Sequence, residues 1–162
     1  MEEKLTVRPV RQADLDRILE IEVASFGPDA YDRNLFAEYT RKCGGLFLVA
    51  EWVTAMGTTL CAYSITALSP GKRLNKLTPG NRAELVSVAV DPVFLGKGVA
   101  SALLASTLRR LRRRKITRLA LMVKVTNQPA RGFYQKHGFR QVRRVRGYYE
   151  DGADGLSLVK DL

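Results

Sequence analysis

One stretch of the sequence, residues 83–125, constrains the fold more than any other. An apolar run ends at Val90, two glycines follow within the next ten residues, and apolar side chains then recur at helical spacing from Val99 to about Arg114. A second apolar run covers residues 118–125. Because strand, helix and strand in this order form a crossover unit, the sequence predicts an α/β fold with a glycine-containing turn between strand and helix.

Weaker patterns on both sides of this unit predict further helices and strands. The 162 residues suit a single domain over residues 1–162, since domains typically hold roughly 100 to 200 residues. In chain order we expect a strand at 5–9, a helix from Asp14, a loop at 25–31, a helix near 34–41, a hairpin of strands at 46–52 and 60–67, a loop at 69–82, a helix at 129–136, and strands at 141–146 and 155–159.

Nothing in the sequence predicts a membrane segment, an export signal or a metal site. No apolar stretch approaches the roughly 20 residues that span a bilayer, and the first residues lack the basic-then-apolar order of a signal peptide. Cys43 and Cys61 have no metal-ligand spacing, so we expect buried free thiols. His137 ends a predicted helix before a glycine, where an exposed or capping role is favoured over catalysis. We therefore expect a cytoplasmic protein without membrane contact.

The chain carries a net charge of +11, which suits an acidic partner: a phosphate group, an anionic peptide or a nucleic acid. Charge alone does not choose among them. The densest basic run, 109–115, ends a predicted helix, where cations complement the helix dipole and project into water. No aromatic residues interleave it to stack on bases, so a solvated helix end is favoured over an RNA site, and nucleic acid is not the expected substrate.

Gly96 and Gly98 are the first candidate ligand-binding residues. Glycines let the backbone approach a ligand closely, and the first turn of the following helix presents unpaired N–H groups with the positive end of its dipole. Such a turn can bind a pyrophosphate, but a tight strand-to-helix turn without a ligand explains the two glycines equally well. The segment is neither a Walker loop nor the dinucleotide fingerprint with three glycines.

Four segments between Ala83 and Phe139 carry a resemblance to a known superfamily. Their order and spacing are similar to those of GNAT N-acetyltransferases, especially the ribosomal-protein alanine (RimI-type) and protein N-terminal acetyltransferase branch. The resemblance implies the GNAT fold, a mixed, mostly antiparallel central sheet with a splayed parallel strand pair and flanking helices. The segments are Ala83–Pro92, Leu95–Ala100, Val123–Asn127, and the pattern Ala130-x-x-Phe133-Tyr134-x-x-x-Gly138-Phe139.

The resemblance implies acetyl-coenzyme A as co-substrate and assigns residues to it. The turn would hold the pyrophosphate, Val88 and Val90 would contact the acetyl-pantetheine arm through main-chain groups as an added strand, and Asn127 would bond the arm by its side chain. Simple core packing is the alternative for the two valines. The family turn opens with Gln or Arg, which Leu95 replaces, and Lys97 is a nearby cation that could compensate. The implied cofactor-binding residues are Val88, Val90, Leu95, Gly96, Lys97, Gly98, Val99, Ala100, Asn127 and Tyr134.

The resemblance also assigns catalytic residues. Acetyl transfer needs a neutral amine, a stabilised oxyanion and a donor for the departing thiolate. Tyr134 matches the family general acid, and a phenol with a pKa of about 10 stays protonated at neutral pH. RimI-type sequences carry a carboxylate at the position of Met122, which cannot accept a proton. Glu84 matches a position that is catalytic in some relatives, so we nominate it as base, acting through water; otherwise it is a solvated strand residue.

Loss of a base affects the two common amine classes unequally. A protein α-amine with a pKa of about 7.7 to 8.0 is already roughly 10 to 25% neutral near pH 7.2, whereas a lysine amine is only about 0.06% neutral. Met122 therefore favours an N-terminal α-amine over a lysine as acceptor.

Two aromatic segments resemble the peptide-binding parts of N-terminal acetyltransferases: Phe26 with Tyr31, and the Tyr-Tyr-x-x-Gly-x-x-Asp hairpin that contains Tyr148 and Tyr149. Rings from both could hold the first residues of a peptide; hairpin stabilisation is the alternative for the tyrosine pair. The function expected is acetylation of a protein or peptide N-terminus, such as that of a ribosomal protein. Alternatives are a lysine or small-molecule amine acetyltransferase, and a non-catalytic acyl-coenzyme A or ribosome-binding module.

Overall fold

The structure, a computed structural model, describes residues 2–70 and 81–162, with the side chains of 69 and 70 left out. The chain divides into two compact units, each described by itself below. Unit 1 comprises residues 1–67 and 86–113, and unit 2 comprises residues 68–85 and 114–162.

The described residues form strands, α-helices and short 3₁₀ helices. The strands are β1 (Lys4–Pro9), β2 (Phe47–Thr54), β3 (Gly57–Pro70), β4 (Asn81–Val90), β5 (Arg118–Lys124), β6 (Arg140–Val145) and β7 (Gly155–Asp161). The α-helices are α1 (Leu15–Phe26), α2 (Arg33–Lys42), α3 (Val99–Arg113) and α4 (Gln128–Lys136). Short 3₁₀ helices cover Gln12–Asp14, Gly27–Asp29, Gly44–Leu46 and Pro92–Phe94.

The strands hydrogen-bond in the order β1-β2-β3-β4-β5-β7-β6. β1 with β2, β2 with β3, β5 with β7 and β6 with β7 are antiparallel, and β4 runs parallel to β5. The parallel register holds only three residue pairs, from Arg82 with Arg118 to Glu84 with Ala120. The expected fold class, a mostly antiparallel mixed sheet with one splayed parallel pair, is confirmed.

Two predicted segments, the second hairpin strand and the loop that follows it, have different boundaries in the structure. β3 starts at Gly57 instead of residue 60, because Gly57 pairs with Thr54 and leaves a two-residue turn. The loop expected at 69–82 is also shorter at both ends, since β3 continues to Pro70 and β4 begins at Asn81; its middle, 71–80, lies outside the described residues. In both places the strand continues through residues whose polar or glycine character indicated a loop, because cross-strand pairing outweighs local propensity.

The core of unit 1 has two layers separated by β2 and β3. Because successive strand residues point to opposite faces, Phe47, Val49, Tyr63 and Ile65 pack with α1 and α2. Residues on the other face of the two strands pack with Val99 and Leu103 at the start of α3. They are Leu48, Ala50, Cys61 and Ala62. Cys43 and Cys61 are buried and unpaired, as expected, and burial raises the pKa of the Cys61 thiol to about 11.

In unit 2, one face of β5 is buried and the other is half-exposed. Leu119, Leu121 and Val123 are buried, whereas Ala120 and Met122 are only partly covered. No helix among the described residues is long and apolar enough to cross a membrane. Within the same residues, no group of three or more His, Cys, Asp or Glu side chains is arranged to hold a metal ion.

Candidate active site

The glycine-containing turn of unit 1 adopts a backbone that requires its glycines. Gly96 and Gly98 have φ angles of +77° and +80°, a region that residues with a Cβ rarely adopt. A Cβ added at either position would meet nothing within 4 Å, so backbone conformation alone explains the glycines. α3 begins directly after them at Val99, and the first N–H groups of a helix lack intrahelical partners. The turn therefore has the geometry of an anion-binding helix start.

Asp91 anchors the entrance to this turn. Its carboxylate accepts the Val93 N–H at 3.0 Å and thereby caps the Pro92–Phe94 3₁₀ helix. Arg17 of α1 forms an ion pair with the same carboxylate and donates from Nε to the Leu60 carbonyl at 3.1 Å. These contacts connect the turn to α1 and β3 within unit 1.

Lys97 is held by two aromatic rings that the sequence analysis did not single out. Its Nζ lies 5.3 Å from the centroid of the Trp52 ring and 6.0 Å from that of Phe94. The two rings are 5.7 Å apart. A cation over an aromatic face is attracted to the ring quadrupole. Leu95, by contrast, is 63% exposed, so the residue that replaces the family Gln or Arg projects into water.

β4 pairs with β5 over only part of its length, and this affects Val88 and Val90. Its parallel register with β5 ends at Glu84. Among the described residues, no register pair joins residues 85–90 to β5, although the strand continues to Val90. Backbone N–H and C=O groups must find partners. An edge without a neighbouring strand can take an extended ligand as an added strand, and both valines are half-buried on this part of β4.

In unit 2, Asn127 begins α4. Its Oδ1 accepts the Ala130 N–H at 3.2 Å, which makes it the N-cap of the helix. The cap uses the side-chain oxygen and leaves the amide NH₂ group to donate, so a side-chain bond to a pantetheine carbonyl is compatible with the cap. The sequence pattern alone did not indicate this capping role.

Tyr134 lies on α4 between two phenylalanine rings, with centroid distances of 5.2 Å to Phe133 and 5.3 Å to Phe139. Burial raises the pKa of Tyr134 to about 12. The phenol is therefore protonated across the whole physiological range and acts as a hydrogen donor.

The nominated base and the methionine share one face of the sheet in unit 2. Glu84 is exposed and pairs in register with Ala120, and alternation places Met122 on the same face as Ala120. The Met122 Cε lies 2.7 Å from the point where a Cβ on Gly155 would stand, and the Tyr148 Cβ lies 3.2 Å from that point. Met122, Gly155 and Tyr148 thus form a small apolar surface where RimI-type sequences carry a carboxylate.

The loop between β6 and β7, Gly147–Asp154, is held by its own hydrogen bonds. The Asp154 carboxylate accepts the Gly147 N–H at 2.9 Å and the Arg144 Nε–H at 2.8 Å. These two contacts hold the pKa of Asp154 below its ordinary range. The Tyr149 N–H donates to the Ala153 carbonyl at 3.1 Å. The loop is therefore a defined turn.

Both tyrosines of this loop lie outside the strands, since β6 ends at Val145 and β7 starts at Gly155. Their rings contact each other edge to face, with centroids 5.0 Å apart. Tyr148 is 49% exposed, whereas Tyr149 is half-buried under the Lys124 Nζ, which lies 5.2 Å from its ring centroid. Tyr148 is thus the more accessible of the two for a ligand.

The first aromatic segment lies in unit 1, after α1. Phe26 and Tyr31 are each 40% exposed and flank the Gly27–Asp29 3₁₀ helix. The Tyr31 ring packs edge-on against the Phe36 ring, with 6.2 Å between the centroids. The backbone N–H of Tyr31 donates to the Glu22 carboxylate at 3.1 Å. An open groove of about 530 Å³ adjoins Tyr31 and is lined by residues 30–32, Asn34, Leu35 and Glu38.

The candidate residues thus fall into two groups. Unit 1 holds the glycine turn, the second half of β4 and the first aromatic segment. Unit 2 holds Glu84, Asn127, Tyr134, Tyr148 and Tyr149.

Residues 15–139 match the sequence model described as the acetyltransferase (GNAT) family. The chain belongs to the GNAT acetyltransferase family. This GNAT chain is 28% identical over 160 residues to an N-alpha-acetyltransferase of Saccharolobus solfataricus, covering 97% of this chain and 93% of that protein. It is 36% identical over 84 residues to the [ribosomal protein bS18]-alanine N-acetyltransferase of Haemophilus ducreyi, covering 51% and 58% of the two chains.

Among solved structures, this GNAT chain is similar to Ard1 from Thermoplasma volcanium, with a TM-score of 0.80 at 22% identity, covering 98% of this chain and 97% of that one. At this identity the likeness shows a shared fold. The GNAT resemblance of the motifs is therefore confirmed by a family match over most of the chain and by the fold.

Proposed function

We propose that this GNAT chain transfers an acetyl group from acetyl-coenzyme A to the N-terminal α-amine of a protein or peptide. The observation that carries the proposal is the Met122–Gly155–Tyr148 surface, which is apolar where a base is expected and borders the exposed ring of Tyr148. An α-amine is substantially neutral at physiological pH and needs little help to lose its proton. The relatives named N-alpha-acetyltransferase over nearly the whole chain support the same acceptor.

In this proposal, the donor is bound by the residues that the family resemblance assigns to it. The N–H groups at the start of α3 bind the pyrophosphate, and Lys97 adds a positive charge near it. The β4 edge at Val88 and Val90 takes the pantetheine arm as an added strand, and the Asn127 NH₂ donates to it. The glycine turn and the positive end of the α3 dipole suit a diphosphate. The part of β4 without a register pair to β5 suits an extended arm that contains amide groups.

Transfer is direct, within a complex that holds both substrates. The amine nitrogen forms a bond to the thioester carbonyl carbon, and the carbon–sulfur bond breaks with its electron pair remaining on sulfur. Tyr134, kept protonated by burial, takes the general-acid position and donates a hydrogen bond to the departing sulfur, and the released thiolate then takes a proton from water. The proton lost by nitrogen passes to water, for which exposed Glu84 is the nominated acceptor. Phe26, Tyr31, Tyr148 and Tyr149 hold the first residues of the peptide.

A ribosomal protein N-terminus is the proposed natural acceptor, by analogy with the relative that acetylates the alanine of ribosomal protein bS18. We place the reaction in the cytoplasm, a reducing compartment that suits the buried, unpaired Cys43 and Cys61.

Acetylation of a peptide library tests the proposal. Peptides with varied first residues and no lysine are compared at pH 7.2 with N-terminally blocked peptides that carry one internal lysine, and products are read by mass spectrometry. We expect acetylation of free N-termini, with a preference among first residues. Faster acetylation of the lysine peptides would contradict the α-amine assignment, and transfer to neither set would contradict the proposed enzyme activity.

A further inference from the structure

A buried carboxylate lies beneath the first aromatic segment, which we call the acceptor loop (residues 26–31). Glu22, on the last turns of α1, is 1% exposed. Its Oε1 accepts the Tyr31 N–H at 3.1 Å, and its Oε2 accepts the hydroxyl proton of Tyr63. Tyr63 is fully buried, and its hydroxyl oxygen lies 3.1 Å from the Ser87 Oγ. A connected set of hydrogen bonds thus joins the acceptor loop to the middle of β4.

The direction of these hydrogen bonds follows from the number of protons available. Tyr63 has one hydroxyl proton and donates it to Glu22, so Ser87 must be the donor to the Tyr63 oxygen. Burial and the Glu22 carboxylate both raise the pKa of the Tyr63 hydroxyl, which therefore stays a donor. The order is Ser87 to Tyr63 to Glu22, and the Tyr31 N–H donates to Glu22 from the other side.

A carboxylate is a costly residue at this position. Burying a charged group is unfavourable unless hydrogen bonds compensate it. Among the described residues, no ion pair involves Glu22, and its carboxylate meets the hydroxyl of Tyr63, a residue of the hydrophobic core of unit 1. A hydrocarbon side chain would fill the same space without the desolvation penalty. The compensation that the structure shows consists of two hydrogen bonds, one from the Tyr63 hydroxyl and one from the backbone N–H of the acceptor loop at Tyr31.

We propose that Glu22 is a positioning residue for the acceptor: it fixes the backbone of the acceptor loop at Tyr31 and, through Tyr63 and Ser87, ties that loop to the part of β4 assigned to the acetyl-pantetheine arm. This inference rests on the proposed function for the identity of the acceptor. Ser87 lies directly before Val88, so one set of hydrogen bonds sets the loop and the strand edge relative to each other inside unit 1. The aromatic contacts of Tyr31 with Phe36 and of Phe36 with Tyr63 follow the same route.

The test compares Glu22→Leu with Glu22→Gln. Leucine removes both acceptor oxygens. Glutamine keeps one oxygen that accepts from the Tyr31 N–H, and its NH₂ group can donate to the Tyr63 hydroxyl oxygen. The Tyr63 hydroxyl then donates to Ser87 instead. Because hydrogen bonds to charged groups are the strong ones, we expect Glu22→Leu to raise the KM for an N-terminal peptide about tenfold or more, with the KM for acetyl-coenzyme A changed less than about twofold. Glu22→Gln should stay within about threefold of the wild type.

Glu20→Gln is the matched control, since Glu20 lies on the same helix, is exposed, and pairs with Arg17 within the part of the chain that the structure describes. It should leave both KM values unchanged. Equal peptide KM for Glu22→Leu and the wild type, or an equal loss in Glu22→Leu and Glu22→Gln, would overturn the positioning role. If Glu22→Leu does not fold, Tyr63→Phe takes its place; it keeps the ring in the core, removes the link between Glu22 and Ser87, and should raise the peptide KM in the same selective way.

Hydrogen exchange at the Tyr31 amide separates this inference from the proposed function. In the wild type the Glu22 carboxylate protects that amide. We expect exchange to become at least about tenfold faster in Glu22→Leu, or in Glu22→Met if the former does not fold, since both remove the acceptor oxygens, and to be unchanged in Glu20→Gln. Unchanged exchange in the tested variant would overturn the inference whatever amine the enzyme accepts. Failure of the wild type to acetylate any peptide α-amine would instead overturn the proposed function and leave the exchange result to decide the role of Glu22 in ordering the loop.

Discussion

Replacing Tyr134 by phenylalanine tests the assignment of the general acid. The variant keeps the ring and its edge-to-face contacts with Phe133 and Phe139, and removes only the hydroxyl group. We expect kcat to fall while the fold and acetyl-coenzyme A binding are retained.

The size of this effect follows from two pKa values. Burial raises the pKa of Tyr134 to about 12, whereas an ordinary thiol has a pKa of about 8.5. The two pKa values differ by about 3.5, so full proton transfer from the phenol to the leaving thiolate is unfavourable by about 5 kcal/mol. The phenol contributes mainly as a hydrogen-bond donor to the developing negative charge, which is worth about 1.5 to 3 kcal/mol. Its loss should lower kcat roughly 10- to 150-fold.

The assay follows release of free coenzyme A thiol at saturating concentrations of both substrates. Thermal unfolding and calorimetric binding of coenzyme A show whether the variant is folded and still binds. Tyr39→Phe, a hydroxyl deletion on α2 outside the candidate residues, is the control and should retain wild-type kcat. A kcat within twofold of the wild type would refute the assignment. So would an alkaline loss of activity near pH 9 that disappears in Tyr134→Phe, because a phenol with a pKa of about 12 does not ionise there.

Four further substitutions test other parts of the candidate site. Gly98→Ala forces a Cβ into the positive-φ region and should cost about 1 to 2 kcal/mol and weaken coenzyme A binding in calorimetry; unchanged affinity would contradict the phosphate-binding role. Leu95→Arg restores the family cation at an exposed position and should lower the KM for acetyl-coenzyme A without changing Tm, with Leu95→Gln as the uncharged comparison. Met122→Glu should raise kcat/KM for lysine peptides more than for N-terminal peptides at pH 7.2, since lysine depends more on a base; a uniform change would count against that explanation. Asp154→Asn removes the acceptor charge that holds the Gly147–Asp154 loop and should raise the peptide KM selectively, measured with acetyl-coenzyme A saturating.

Much of the fold could be predicted because its signals are local. Helical spacing from Val99, strand runs ended by Pro92, and glycines before a helix each depend on residues within one or two turns of chain. The family match and the strand order confirm the fold class that these signals indicated. The strand ends near residues 57, 70 and 81 could not be predicted, because there the partner strand decides whether an ambivalent residue is extended.

The chemistry near the candidate site was less predictable. The Asn127 cap, the Trp52 and Phe94 rings beside Lys97, and the Met122–Gly155–Tyr148 surface all involve groups brought together by folding. A lone tryptophan at the end of a predicted strand was the available signal for the Lys97 contact, and by itself it does not distinguish a cation contact from ordinary packing.

The sequence by itself determined that a glycine turn precedes an amphipathic helix, and the φ angles of +77° and +80° at Gly96 and Gly98 agree with it. That outcome depends on the conformational freedom of single residues and on the nearest helical turn. Only the tertiary structure decided that the parallel pairing of β4 stops at Glu84, and that Glu22 meets both Tyr63 and the backbone of Tyr31. Glu22 and Tyr63 are 41 residues apart in the chain. Which groups share a buried environment at such separations depends on the order and register of the whole sheet, and no local residue preference records it.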